Sequence, residues 1–136
     1  MLRRRLQLAL STLLATVTLS AIAFACFRWA MLYQAVKQAN VNLINAVAKS
    51  ETGSGSAVDI CAASEERMRA ELQLPFVNRS AVRAEHLAQV TRQLRRLEEL
   101  STSGYFDGDV RPDLEQVRPI VDRAYREWEE EYLADD

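Results

Sequence analysis

Leu6–Phe27 reads LQLALSTLLATVTLSAIAFACF, 22 residues without a single charge, bounded by Arg3, Arg4 and Arg5 on one side and by Arg28 and Trp29 on the other. At a rise of 1.5 Å per residue, about 20 apolar residues cross the roughly 30 Å hydrocarbon core of a bilayer. The stretch is therefore predicted to be one transmembrane helix. The competing reading, a core helix of a soluble protein, needs an apolar shell around it, and the remaining chain is too polar to supply one. Trp29 and Tyr33 stand where aromatic rings meet headgroups, and Arg28 can snorkel to the same level, so these three residues are the expected interface anchors.

The rest of the composition follows from that segment. The chain has 136 residues, 17 Lys+Arg against 19 Asp+Glu, and a net charge of -2, with a mean hydropathy of -0.17. Those averages resemble a small soluble domain, but they conceal two halves. Residues 1–49 carry six bases and no acid, leaving residues 50–136 with 11 bases against 19 acids, so +6 and -8 make up the total. The length excludes a large multidomain enzyme. Gly occurs four times and Pro three times, and neither occurs before Gly53, which disfavours a sandwich or barrel with a turn every eight to twelve residues. The predicted fold class is all-α: an N-terminal transmembrane helix extending into a small extramembrane helical bundle.

The three Arg before the span, against Arg28 and Lys37 after it, place the N-terminus inside and residues 28–136 outside. A bacterial inner membrane is expected, with the mitochondrial inner membrane as the alternative. Ala21-Ile22-Ala23 and Ala23-Phe24-Ala25 satisfy the small-x-small pattern of signal-peptide cleavage. The apolar run, however, is longer than the 7–15 residues of a signal h-region, which favours a retained signal-anchor. Ile22-Ala23-Phe24-Ala25-Cys26 also resembles a bacterial lipobox, which would put a lipid on Cys26; the bulk of Phe24 and the apolar residues after Cys26 depart from that pattern. A mitochondrial presequence is a further alternative, although the bases are bunched at residues 3–5 and do not repeat along a helical face.

Thr12, Thr16, Ser20 and Ala23 recur at helical spacing within the span, and small residues allow close helix–helix approach; they are candidates for packing against a membrane partner. Beyond Arg28, the run Trp29, Leu32, Val36, Ala39, Leu43 and Ala46 keeps a 3-4-3-4-3 spacing on a helix otherwise rich in Gln and Asn. The segments are thus a basic tail (1–5), the span (6–27), an amphipathic juxtamembrane helix (28–49), a flexible Gly/Ser linker (50–58) and an acidic region of three helices (59–136). A continuous helix from Leu6 to Lys49 would measure about 66 Å.

The first distal helix is expected from Ser64, as N-cap, to Leu74, with Cys61, Met68 and Leu72 facing inward. The second follows the cap candidates Asn78 and Ser80 to about Leu100, with Leu87, Val90, Leu94 and Leu97 as its stripe. A turn with Gly104 as C-cap and a tight Asp107-Gly108 comes next. The third helix starts near Pro112 or Asp113, where Asp113 to Gln116 resembles a capping box, and carries Leu114, Val117, Val121, Ala124 and Trp128. Pro119 is expected to restart that helix, with a kink in one continuous helix as the alternative.

No catalytic constellation emerges. His86 is the sole histidine and is expected as a half-exposed structural residue. Cys26 and Cys61 lie at different depths, which argues against pairing them. Cys61 is a candidate intermolecular thiol in an oxidising compartment, with a buried free thiol as the alternative. There is no CxxC and no phosphate loop. Asp107 and Asp109 lack the ligand spacing of a calcium loop, so neither a metal nor a cofactor is expected. The sharpest surface feature is Tyr125, Trp128 and Tyr132 interleaved with Glu127, Glu129, Glu130 and Glu131. Of these, Tyr125, Trp128, Tyr132, Glu129 and Glu130 form the candidate partner-binding face; the alternative is a core Trp128 beside solubilising acids. Arg92, Arg95 and Arg96 are too few, in a region of net charge -8, to suggest nucleic acid.

The expected function is a non-enzymatic accessory, assembly or scaffolding subunit, in contact with membrane lipid and with other membrane proteins or further copies of itself. Two alternatives share the layout. One is a ligand-sensing bundle, weakened by the five residues before the span, and the other is a phage-type, spanin-like lysis protein, weakened by Pro75, Pro112 and Pro119.

Overall fold

The computed structural model describes residues 2–103 and 110–135, with side chains from residue 7 to residue 134. Among the described residues the fold is all-helical: α1 (Leu2–Glu51), α2 (Ala57–Glu71), α3 (Arg79–Ser103) and α4 (Arg111–Asp135). Two units can be distinguished, Met1–Gln34 and Ala35–Asp136.

In the first unit, the apolar part of α1 is long and apolar enough to cross a membrane, and none of its most apolar window is covered by the rest of the chain. Leu8, Leu13, Leu19, Ile22, Phe24 and Phe27 all stand exposed, on every side of the helix. Four of its hydroxyls bond within the helix. Ser11 and Thr12 donate to the Leu8 carbonyl, and Thr16 to that of Thr12, at 2.8–2.9 Å; Thr18 is shared between the Leu14 and Ala15 carbonyls.

The second unit is a bundle. Its core joins Ala57 and Cys61 of α2, Val90 and Leu97 of α3, and Leu114, Val117 and Ala124 of α4, with Leu87, Leu94, Ile120 and Val121 packed around them. The 3-4 spacing of the α3 and α4 stripes puts these side chains on one face of each helix, which is the face the neighbouring helix covers. From α1, Ala39 is buried and Asn42 donates an amide hydrogen bond to Glu66 at 3.3 Å. Helices α2 and α3, and α3 and α4, run antiparallel, while α2 and α4 lie side by side in the same direction. Ion pairs tie α2 to α3 (Arg67 to Glu85, 2.9 Å), α4 to α2 (Arg123 to Glu65, 2.9 Å) and α3 to α4 (Arg118 to Glu98, 3.7 Å).

Several expectations need correction. Residues 50–58 hold the end of α1, a short turn at 52–56 and the start of α2, with no long linker. The Gly53 amide bonds to Ser50 O and the Ser54 amide to Lys49 O, with Gly53 at φ 75°. That pattern is the left-handed helix-ending motif in which glycine costs nothing. At Gly55 a Cβ would come within 3.0 Å of Lys49 Cβ and the Ser50 nitrogen. α2 then starts at Ala57 and not at Ser64. Ser56 is the N-cap, and its hydroxyl and the Asp59 carboxylate exchange bonds with each other's backbone amides in a capping box. Ser64 lies in the middle of α2 on its buried face. For α3 the Asn78 carboxamide caps, accepting from the Ala81 amide at 3.0 Å. The capping box expected at Asp113 is not formed: the Gln116 side chain donates to the Pro112 carbonyl instead.

Pro119 sits inside an unbroken α4 and does not restart it. Its ring is on the exposed face, so the lost i→i-4 bond is on the side where water can serve the orphaned carbonyl, while Val117 and Val121 hold the inner side. Gly104 and Asp107 to Asp109 fall outside the described residues.

Candidate functional site

On α4, successive residues turn by about 100°, so Tyr125, Trp128 and Tyr132 form one ladder beside the buried Ala124. Ring centroids are 5.9 Å apart for Tyr125–Trp128 and 5.5 Å for Trp128–Tyr132, at tilts of 52° and 31°. Both tyrosines remain half exposed, at 50% and 51%. Trp128 is half-buried and outside the core cluster, between the two positions expected for it. Tilted pairs at these distances contribute about 0.5–1.5 kcal/mol each.

The acids of the same segment divide by face. Glu127 and Glu131 occupy the opposite flank of the inner stripe and meet α3. Arg83 donates to Glu127 at 2.6 Å and to Glu131 at 3.0 Å, and Arg79 donates to the other Glu131 oxygen at 2.6 Å. The bond from Arg79 foremost, with that from Arg83, holds the Glu131 carboxyl below its ordinary range against a smaller opposing effect of desolvation. The four glutamates are therefore not one solvated acidic end; two of them fasten α4 to α3. Of the pair expected to rim the aromatic face, the 100° step places Glu129 beside the ladder and Glu130 on the far flank, and both are exposed. Arg79 and Arg83 were not foreseen in this role. Their i, i+4 spacing opposite Glu127 and Glu131, also i, i+4, was the available signal.

The only histidine is buried, 5% exposed, rather than half exposed. Its Nδ1 shares a 2.9 Å hydrogen bond with the Ser64 hydroxyl of α2. Desolvation lowers its pKa, opposed in part by Glu65 and Glu127 and assisted by Arg123 and Arg83. A cavity of about 40 Å³ touches this pair and is lined also by Leu43, Arg67, Met68 and Glu85. That is room for about one water molecule, too small for a metabolite and without a nucleophile–base–acid series. No group of three or more His, Cys, Asp or Glu side chains converges as a metal site among the described residues.

Cys61 is wholly buried in the core, and burial pushes its thiol up to about 11. As folded it cannot reach a cysteine of another chain, so the geometry fits the alternative, a buried free thiol. Cys26 is exposed on α1. Thr12, Thr16, Ser20 and Ala23 share one exposed face of α1, and Arg28, Trp29 and Tyr33 follow on the same helix, exposed as well. Among the described residues no other ring packs against Trp29 or Tyr33. Compared with protein families, curated proteins and solved structures, the chain finds no match.

Proposed function

We propose that this chain is a single-pass membrane protein, N-terminus in the cytoplasm, whose extracytoplasmic bundle serves as a non-catalytic accessory or assembly subunit of a larger membrane complex. The observation that carries the reading is the apolar part of α1, hydrophobic on all sides, with none of its most apolar window buried among the described residues. A helix apolar all round has to be buried somewhere, and a retained signal-anchor in lipid satisfies that without any further protein. The second unit supports the subunit role through the ladder Tyr125–Trp128–Tyr132. Its rings are half-exposed, on a helix that Arg79 and Arg83 tie to α3 through Glu131 and Glu127, and aromatic residues are the favoured anchors at protein interfaces. The cavity beside Ser64 and His86, about 40 Å³, is too small for a metabolite, which favours a binding role over catalysis or metabolite sensing there.

The test is gentle solubilisation followed by native mass analysis of the full chain and of a Tyr125→Ala/Tyr132→Ala variant. The expected result is a defined complex, with association weakened about 10-fold or more in the variant and its helix content unchanged. A monomer with no associated protein contradicts the reading, as does a complex indifferent to the two substitutions.

A further inference from the structure

Among the described residues of the second unit, Phe76 is the most exposed large apolar one, at 104% of its reference area. It stands at φ 62°, the left-handed region in which a bulky side chain is uncommon and glycine relaxed. The ring touches no core, and the backbone would be easier without it, so folding of the bundle does not account for it. Its place in the bundle does suggest a role. Within the second unit Ala35 shares a surface hollow with Ala70 and Gln73 at the end of α2, three residues before Phe76. Arg79 at the start of α3 and Glu131 near the end of α4 meet at this same end. Within the second unit the loop 72–78 therefore sits at the Ala35 end, while the turn 52–56 sits at the opposite end.

We propose that Phe76 is a second membrane-interface anchor, its ring lodged among lipid headgroups beside the point where the chain leaves the bilayer. This rests on the reading of α1 as a membrane span. Arg28 and Ala35 are seven residues apart, a distance of at most about 25 Å even for a fully extended chain. Whatever the angle between the two units, the Ala35 end of the bundle is therefore the end held near the interface. A fully exposed apolar ring buries its area on reaching the boundary between headgroups and acyl chains, as Phe, Trp and Leu of interfacial helices do. A protein hot spot would instead be ringed by packed neighbours, and here Gln73, Pro75 and Asn78 are all exposed. The Glu131 carboxylate at this end is neutralised by Arg79 and Arg83.

The experiment places benzoyl-phenylalanine, a photoreactive ring, singly at positions 76, 29 and 54 of the full chain. The protein is reconstituted in vesicles of phosphatidylethanolamine and phosphatidylglycerol, and the adducts are identified by mass. Lipid adducts are expected at 29 and at 76, each several-fold above those at 54. Lipid at 29 with no excess at 76 over 54 overturns the anchor and leaves the span standing. Adducts from 76 to a second copy of the chain also overturn it. Absence of lipid at 29 removes the span and the anchor with it. Because the Phe76 ring makes no core contact, the substitution leaves the fold intact, which helix content measured on the same sample checks.

Discussion

Replacing Arg83 with Met removes a guanidinium that serves two carboxylates at once, at 2.6 and 3.0 Å. Arg83 keeps only 17% of its side-chain surface exposed and Glu131 only 19%, so the Arg83–Glu131 bond lies well inside the half-buried range, where a charge-assisted bond contributes about 1.5–3 kcal/mol. The bond to Glu127, whose side chain is 37% exposed, is worth less, within the roughly 0–1 kcal/mol of surface pairs. Glu131 keeps Arg79 after the substitution, and Met replaces the aliphatic stem, so the net loss should be about 1–2 kcal/mol. For a bundle of this size that lowers Tm by about 5–15 °C. Thermal unfolding of a fragment covering residues 35–136, followed by circular dichroism, measures it. Adding Glu131→Gln completes a double-mutant cycle with an expected coupling of about 1 kcal/mol. A Tm unchanged within about a degree, or no coupling, would refute the view that α4 is fastened to α3 through these groups.

Three further outcomes follow from the same geometry. His86 has a folded pKa below its ordinary 6.5, so the unfolded chain binds the extra proton; stability should be fully present above about pH 6.5 and decline as pH falls through the folded value, with His86→Gln flattening that limb in urea titrations. Pro119→Ala restores the donor missing from the exposed face of α4 and should stabilise by about 1–3 kcal/mol, read as a raised urea midpoint; a lowered midpoint would mean that α4 needs the proline. Cys61, buried with its thiol at about 11, should resist maleimide in the native protein and react once denatured, whereas native-state labelling would show the core to be open.

The helices were legible because their stripes are regular: Leu87, Val90, Leu94, Leu97 and Leu114, Val117, Val121, Ala124 alternate by three and four, and the structure buries or half-buries all of them. Where sequence reading went astray, a local signal was overruled by composition or by a partner out of sequence reach. Gly53-Ser54-Gly55-Ser56 looks like a flexible tether by composition, yet its glycines close α1 and its last serine opens α2, a function readable only from Ser56 and Asp59 taken together. Pro119 usually ends a helix, and only the packing of Val117 and Val121 on either side carries α4 through. His86 has the polar neighbours Arg83 and Gln89 in sequence, which point to partial exposure; its partner Ser64 lies 22 residues away on another helix, where no local pattern points. The aromatic ladder was visible from spacing, but the division of its acids into fasteners and rim required α3 to be set beside α4.

The apolar half of α1 underlies the whole functional reading, and the mass of the chain in alkaline-washed membranes tests it most directly. A retained anchor leaves the chain in the membrane pellet at its full 15.4 kDa. Recovery in the soluble fraction, or at a mass short of the segment up to Ala23 or Ala25, would contradict a membrane span and return α1 to the role of a removable signal.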